Sequence, residues 1–316
     1  MNAAIIFGLL LALMLTGMPI SISLGLTVLT FLFTMTQVPI ESVALKLFTG
    51  IEKFEIMAIP FFILAGNFLT HGGVARRMIN FASAMVGHLH GGLGLAGVLA
   101  CALFAAVSGS SPATVVAIGS ILLPAMVKAG FPNRFGAGVI TTSGALGILI
   151  PPSIVMVMYS VATNTSVGAL FMAGVIPGLM LATILGLVTW YRAKKFDDPR
   201  MPKASWGERW QAFRKSVWGL LLIVIVMGGI YTGMFTPTEA AAMSAVYAFF
   251  VAVFVYKDMG LKQVPKVLLD SASMSAMLLY IITNAVLFSF LMTHENIPQA
   301  LGEWMVNTGL SWWMFL

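Results

Sequence analysis

Long apolar runs along the chain are separated by short interruptions of glycine, proline or charge. The runs fall at 2–16, 19–36, 56–75, 136–160, 167–191, 217–235, 238–256 and 272–293. A helix rising about 1.5 Å per residue needs roughly 20 apolar residues to cross a hydrocarbon core about 30 Å thick. The pattern therefore predicts an all-α polytopic membrane protein. Nothing alternates between apolar and polar over ten-residue blocks, so a membrane β-barrel is rejected. Two further apolar stretches, 93–107 and 113–127, are 15 residues each and are joined by Ser108-Gly109-Ser110-Ser111-Pro112. Each would reach only about 22 Å as a helix, so the pair reads as a re-entrant hairpin rather than two crossings. The run 136–160 contains Pro151-Pro152 and reads as a broken helix.

Composition removes whole classes of function. In 316 residues, 59% are hydrophobic and 9% charged, with a mean hydropathy of +0.97. A soluble enzyme or a nucleic-acid binder cannot cover its surface with so few charges. The single cysteine, Cys101, allows neither an intramolecular disulfide nor a thiolate metal cluster. The first 17 residues lack a basic start, and apolar sequence continues past Pro19 to Phe33, which reads as mature membrane sequence rather than a leader.

Charge sets the expected direction of the crossings. The net charge is +6, and 8 of the 17 Lys and Arg lie between Arg192 and Lys215, which marks that segment as cytoplasmic. Counting back and forward from it puts Arg76, Arg77, Lys128 and Arg134 on the same side, together with Lys257, Lys262 and Lys266. Both ends of the hairpin then share one side. The first two runs either cross separately, with the N-terminus outside, or form one long kinked helix. Trp206, Trp210 and Phe213 alternate with Arg209, Arg214 and Lys215 at helical spacing, as in a helix lying in the headgroup interface; docking of a regulatory partner is the other reading.

A weak internal repeat adds a functional direction. Thr16-Gly17-Met18-Pro19 resembles Thr232-Gly233-Met234-Phe235-Thr236-Pro237, and Phe68-Leu69-Thr70-His71 resembles Leu291-Met292-Thr293-His294, with Pro19 to Pro237 and His71 to His294 separated by 218 and 223 residues. The first copy starts outside and the second inside, and opposed repeats of this kind build many secondary transporters. The repeat predicts a second hairpin near residues 316–350 and a second broken helix after it. The sequence is therefore expected to be part of a longer protein, short of roughly 100 C-terminal residues by the repeat length, and incapable of coupled transport by itself.

Irregular backbone at membrane depth is tolerated only where protein or water covers it, so such places are candidate sites. At the hairpin tip one helix ends in free carbonyls while the next begins with free N–H groups and a positive dipole end. Ser108, Ser110, Ser111 and Thr114 add hydroxyls, and Gly109 allows close approach. In Gly144 to Ser153 the two prolines deprive the carbonyls of Gly147 and Ile148 of their helical partners. Such oxygens suit Na⁺; a plain kink is the alternative reading. Glu239 is an intramembrane acid, but Thr236-Pro237-Thr238-Glu239 is also a capping box. His88 and His90, two residues apart, point away from each other on a helix and suit an interface better than a metal. His71 and His294 read as boundary markers.

Ser108 to Thr114, then Gly147 to Ser153, then Thr236 to Ala242, together with Ala58-Ile59-Pro60-Phe61-Phe62-Ile63-Leu64-Ala65-Gly66, resemble in order and spacing the large membrane subunit (DctM-like, or M subunit) of tripartite ATP-independent periplasmic (TRAP) transporters. The resemblance covers essentially the whole chain. It implies a Na⁺-coupled importer of the bacterial inner membrane, working by an elevator motion. Its partners would be a small four-helix membrane subunit (Q-type) and a soluble periplasmic solute-binding protein (P-type) that delivers an organic acid such as a C4-dicarboxylate. It implies no enzyme activity, no nucleic acid and no cofactor beyond Na⁺ as coupling ion. Carried onto this chain, sodium binding falls to Ser108, Gly109, Ser110, Ser111, Gly144, Gly147, Ile150 and Pro151, and substrate binding to Ser111, Thr114, Pro152 and Ser153. The implied division is scaffold helices in 1–55, half of a transport domain in 56–165, a connecting helix and basic interfacial segment in 166–216, and an incomplete second repeat in 217–316. A dicarboxylate or citrate carrier working without a binding protein is the alternative.

Overall fold

A computed structural model describes residues 2–36, 38–196, 198–309 and 312–315. The apolar end of the chain therefore lies partly outside the described residues, at 310, 311 and 316. Among the described residues the regular structure is entirely helical. In chain order the helices are α1 (Asn2–Leu15), α2 (Ile20–Met35), α3 (Ile40–Thr49), α4 (Ala58–His71), α5 (Val74–Val86), α6 (Gly92–Ser108), α7 (Ser111–Lys128) and α8 (Asn133–Gly144). They continue with α9 (Leu146–Leu149), α10 (Ile154–Thr163), α11 (Val167–Lys195), α12 (Trp206–Tyr231), α13 (Pro237–Phe250), α14 (Val264–His294), α15 (Ile297–Asn307) and α16 (Trp312–Phe315). Short turns of tighter or wider helix precede α4 and α14 and extend α13 to Val255.

Among the described residues six helices, counted with these turns, are long and apolar enough to cross a membrane: Phe54–His71, α7, α11, α12, Pro237–Val255 and Leu261–His294. The pair Asn133–Leu149 and Ile154–Thr163, bent by 42°, would make a seventh. This is the broken helix expected at the double proline. The two arms expected of the hairpin are α6 and α7, joined by Gly109 and Ser110 alone, and α7 by itself is long enough to cross, so arm length does not mark it as re-entrant. Its second arm is longer than the sequence suggested, 18 residues instead of 15, because Ser110 caps the helix and Pro112 occupies a first-turn position where its missing N–H costs nothing.

Three sequence expectations change. Residues 206–215 are not a separate interfacial helix. They form the first turns of α12, opened by a capping box in which the Ser205 hydroxyl accepts from the Glu208 N–H and the Glu208 carboxylate accepts from the Ser205 N–H. The division drawn at 216 thus falls inside one continuous helix. The first two runs are not one long kinked helix either: α1 and α2 pack against each other across a turn with Gly17 at φ +83°. Finally, α14 starts at Val264, eight residues before the apolar run.

The chain separates into two compact units. The smaller comprises Met1–Lys53 and Ala276–Leu316. Its core is Ile6, Val28, Phe31, Leu32, Val43, Leu287, Leu291 and Ile297. Gly25 of α2 lies so close to α14 that a Cβ there would sit 2.4 Å from the Asn284 Oδ1. Small residues at such crossings let backbones approach where no hydrophobic drive separates helix from lipid.

The larger unit is Phe54–Ser275. Its centre is α6, with 13 of 17 residues buried, and α5, α7, α8 and α11 pack around it. Gly94 meets Thr189 and Phe135, and Gly97 meets Leu122. Next to this group, α13 presents buried Ala240, Ala241, Ala245 and Ala248, and α13 packs on α4, where Phe68 and Phe249 meet edge to face at 5.5 Å.

The residues matched between the two halves of the sequence share local geometry. Thr16 and Thr232 each bond a carbonyl of the preceding turn, and each is followed by a left-handed glycine, Gly17 and Gly233. Helices α4 and α14 both end in Thr-His before a left-handed residue, Gly73 or Asn296, that starts the next helix. His71 and His294 do mark helix ends. Within the larger unit α13 packs on α4; within the smaller, α2 and α14 share the core.

Candidate functional site at the hairpin tip

The tip is built by the ends of three helices and one interruption. Helix α6 ends at Ser108, and Gly109 reverses the chain at φ +62°. A side chain at 109 would be strained by that φ, and its Cβ would lie 2.8 Å from the Pro152 carbonyl oxygen. Ser110 caps α7 with its hydroxyl on the Ala113 N–H at 3.5 Å, and its carbonyl accepts from the Thr114 hydroxyl at 2.9 Å. Thr114 also shares a 3.0 Å bond with the Ser108 hydroxyl. Ser108 and Thr114 are 1% and 0% exposed, so this hydroxyl pair is sealed inside protein.

The double proline closes on the same place. Pro151 and Pro152 have no N–H, and among the described residues no hydrogen bond reaches the Gly147 or Ile148 carbonyl. Ser111 donates its hydroxyl to the Gly144 carbonyl at 2.7 Å, tying α7 to the end of α8. Gly147 fits so tightly under the tip that a Cβ would lie 2.8 Å from the Ser111 nitrogen. Beyond the prolines the Ile154 N–H donates to the Gly109 carbonyl at 3.0 Å, so the two irregular segments are directly bonded. On α4, Gly66 lies 3.4 Å, by its missing Cβ, from the Ser108 backbone.

Of the residues expected to hold sodium, Ser108, Gly109, Ser110, Ser111, Gly144 and Gly147 converge. Ile150 and Pro151 belong to the same interruption, but the Ile150 side chain leans on Gly178 of α11. Of those expected to contact substrate, Pro152 meets Gly109, Thr114 bonds Ser108, and Ser153 is fully buried.

Two hydroxyls complete the picture. Those of Ser143 and Ser153 are both 0% exposed and, among the described residues, have no hydrogen-bond partner. Ser143 was not singled out by sequence reasoning; its signal was the polar run Thr141-Thr142-Ser143-Gly144 inside an apolar segment. A buried hydroxyl without a partner is costly in a dry interior and suits a polar ligand. No acid or base lies among these residues. Their electrostatics come from backbone alone, with carbonyls at the end of α6 and the N–H end of α7 side by side.

Residues 7–316 match the family described as "Tripartite ATP-independent periplasmic transporter, DctM component". The chain belongs to that family. A C4-dicarboxylate TRAP transporter large permease protein DctM of Rhodobacter capsulatus is 79% identical over 100% of this chain and 75% of its own length. The protein of the same description from Pseudomonas aeruginosa is 55% identical, over 93% of this chain and 69% of its own. A sialic acid TRAP transporter large permease of Vibrio cholerae is 36% identical, over 94% and 70%. This is therefore a multi-pass TRAP transporter permease of a non-enzyme family.

Other residues of this DctM-family chain fall into structural places. Glu239 accepts from the Thr236 N–H at 2.8 Å while the Thr236 hydroxyl accepts from the Glu239 N–H at 3.3 Å, the capping box read from the sequence. His88 and His90 lie in the turn between α5 and α6. Among the described residues no three His, Cys, Asp or Glu side chains gather as for a metal.

Proposed function

We propose that the chain is the permease subunit of a Na⁺-coupled, binding-protein-dependent importer of C4-dicarboxylates. The observation behind this is the direct joining of hairpin tip and double-proline break through the Ile154 N–H to Gly109 carbonyl and Ser111 hydroxyl to Gly144 carbonyl bonds. Na⁺ is a hard cation served by such oxygens, held by Ser108, Gly109, Ser110, Ser111, Gly144 and Gly147, with Ile150 and Pro151 at the rim. The N–H end of α7 favours a carboxylate beside the ion. Ser111, Thr114, Pro152 and Ser153 would contact that substrate. The dicarboxylate reading follows the relative at 79% identity rather than the sialic acid permease at 36%.

The chain would act in the bacterial inner membrane with segment 192–215 in the cytoplasm, beside a small Q-type membrane subunit and a P-type periplasmic binding protein. The larger unit, which contains the tip, would slide as the elevator. Succinate uptake into proteoliposomes holding the complete transporter, with its binding protein outside, tests this. An inward Na⁺ gradient should drive uptake in the wild type, and Ser110→Ala/Ser111→Ala should abolish it with membrane insertion intact. Unchanged uptake across a range of Na⁺ would overturn the proposal.

A further inference from the structure

Away from the tip, a pocket of about 470 Å³ opens between α5, α12 and the end of α13, lined by Arg77, Gln211, Arg214, Lys215, Trp218 and Tyr256. Its walls are tied together. The Tyr256 hydroxyl donates to the Lys215 carbonyl at 2.7 Å, the Tyr247 hydroxyl to the Trp218 carbonyl at 2.8 Å, and the Ser216 hydroxyl to the Arg77 carbonyl at 2.9 Å. The Arg77 guanidinium lies 3.8 Å over the Tyr256 ring and pairs with Asp258, which also meets Arg76 at 3.3 Å.

The charge balance in this pocket is one-sided. No acid lines it, and the acid beside it is already engaged by two arginines. Arg214 and Lys215 are exposed and have no acidic partner among the described residues. The pocket also sits at a change of character. Helix α12 is polar and basic through Lys215 and apolar beyond Val217; α13 with its extension is apolar to Val255, before Tyr256-Lys257-Asp258. That is headgroup depth for two membrane helices. Trp218 and Val255, 43% and 42% exposed, add apolar surface at its edge.

We propose that this pocket binds the phosphate of an anionic phospholipid. Arg214 and Lys215 neutralise the phosphodiester, and Trp218 and Val255 face the acyl chains. A soluble phosphate would use the cations but leave the apolar edge unused, which favours the lipid. Native mass spectrometry of the complete transporter, titrated with phosphatidylglycerol, phosphatidylcholine or inorganic phosphate, tests it. The wild type should retain one phosphatidylglycerol more tightly than phosphatidylcholine. Arg214→Gln/Lys215→Gln should weaken that binding on the order of tenfold or more, with the melting temperature unchanged because both side chains are exposed. Lys262→Gln/Lys266→Gln removes the same charge elsewhere and should leave it intact. Equal binding by both double variants would overturn the proposal, as would equal loss in both. Inorganic phosphate binding as tightly as the lipid would reassign the pocket to a soluble anion.

Discussion

Gly109→Ala perturbs the joint between tip and break at one atom. The backbone there is left-handed at φ +62°, which costs an alanine about 1–2 kcal/mol. The new Cβ would stand 2.8 Å from the Pro152 carbonyl oxygen, so the loops must separate. Separation strains or breaks the 3.0 Å bond from the Ile154 N–H to the Gly109 carbonyl, worth about 1 kcal/mol net. Together these shift the joined arrangement by about 2–3 kcal/mol, or between about 30-fold and 150-fold in its equilibrium constant. Because an ion that binds only the joined form has its apparent affinity lowered by the fall in that form's fraction, the Na⁺ concentration for half-maximal uptake should rise, by at most that factor. The assay is Na⁺-dependent succinate uptake in proteoliposomes, with the melting temperature measured on the same sample. Gly147→Ala should act in the same direction through contact with the Ser110–Ser111 backbone, without a left-handed φ. Gly138→Ala on α8, where an added Cβ meets nothing within 4 Å, should leave Na⁺ dependence unchanged. A wild-type Na⁺ requirement in the first two variants would refute the reasoning.

Two further outcomes follow from the same geometry. Ser143→Ala and Ser153→Ala remove buried hydroxyls that lack partners, so each should leave the melting temperature equal or higher while uptake falls; a lower melting temperature would show that the hydroxyls serve the fold instead. Glu239→Gln keeps an oxygen for the Thr236 N–H and should leave Na⁺-driven uptake unchanged, whereas its loss would make this acid part of the transport chemistry.

Interruptions were the most legible feature of the sequence. Glycine, serine and proline in apolar surroundings announced both the tip and the break, because few other residues suit irregular backbone at membrane depth. The capping boxes were equally readable, although only Thr236/Glu239 was used; Ser205/Glu208 carries the same signature and would have placed the start of α12. Helices α3 and α5 were missed because they carry polar residues on one side and never form an apolar run. The approach of Gly66 to Ser108 depends on the packing of α4 against α6, which no local pattern encodes.

The central claim is that tip and break together bind Na⁺. Melting of the purified complete transporter, titrated with Na⁺ at constant ionic strength against K⁺, addresses it without any transport assay. A ligand at 100 times its dissociation constant stabilises the folded form by about 2.7 kcal/mol. Na⁺ should therefore raise the wild-type melting temperature and K⁺ should not, and Ser110→Ala/Ser111→Ala should erase the difference. A Na⁺-specific rise of the same size in that variant, or none in the wild type, would contradict the account.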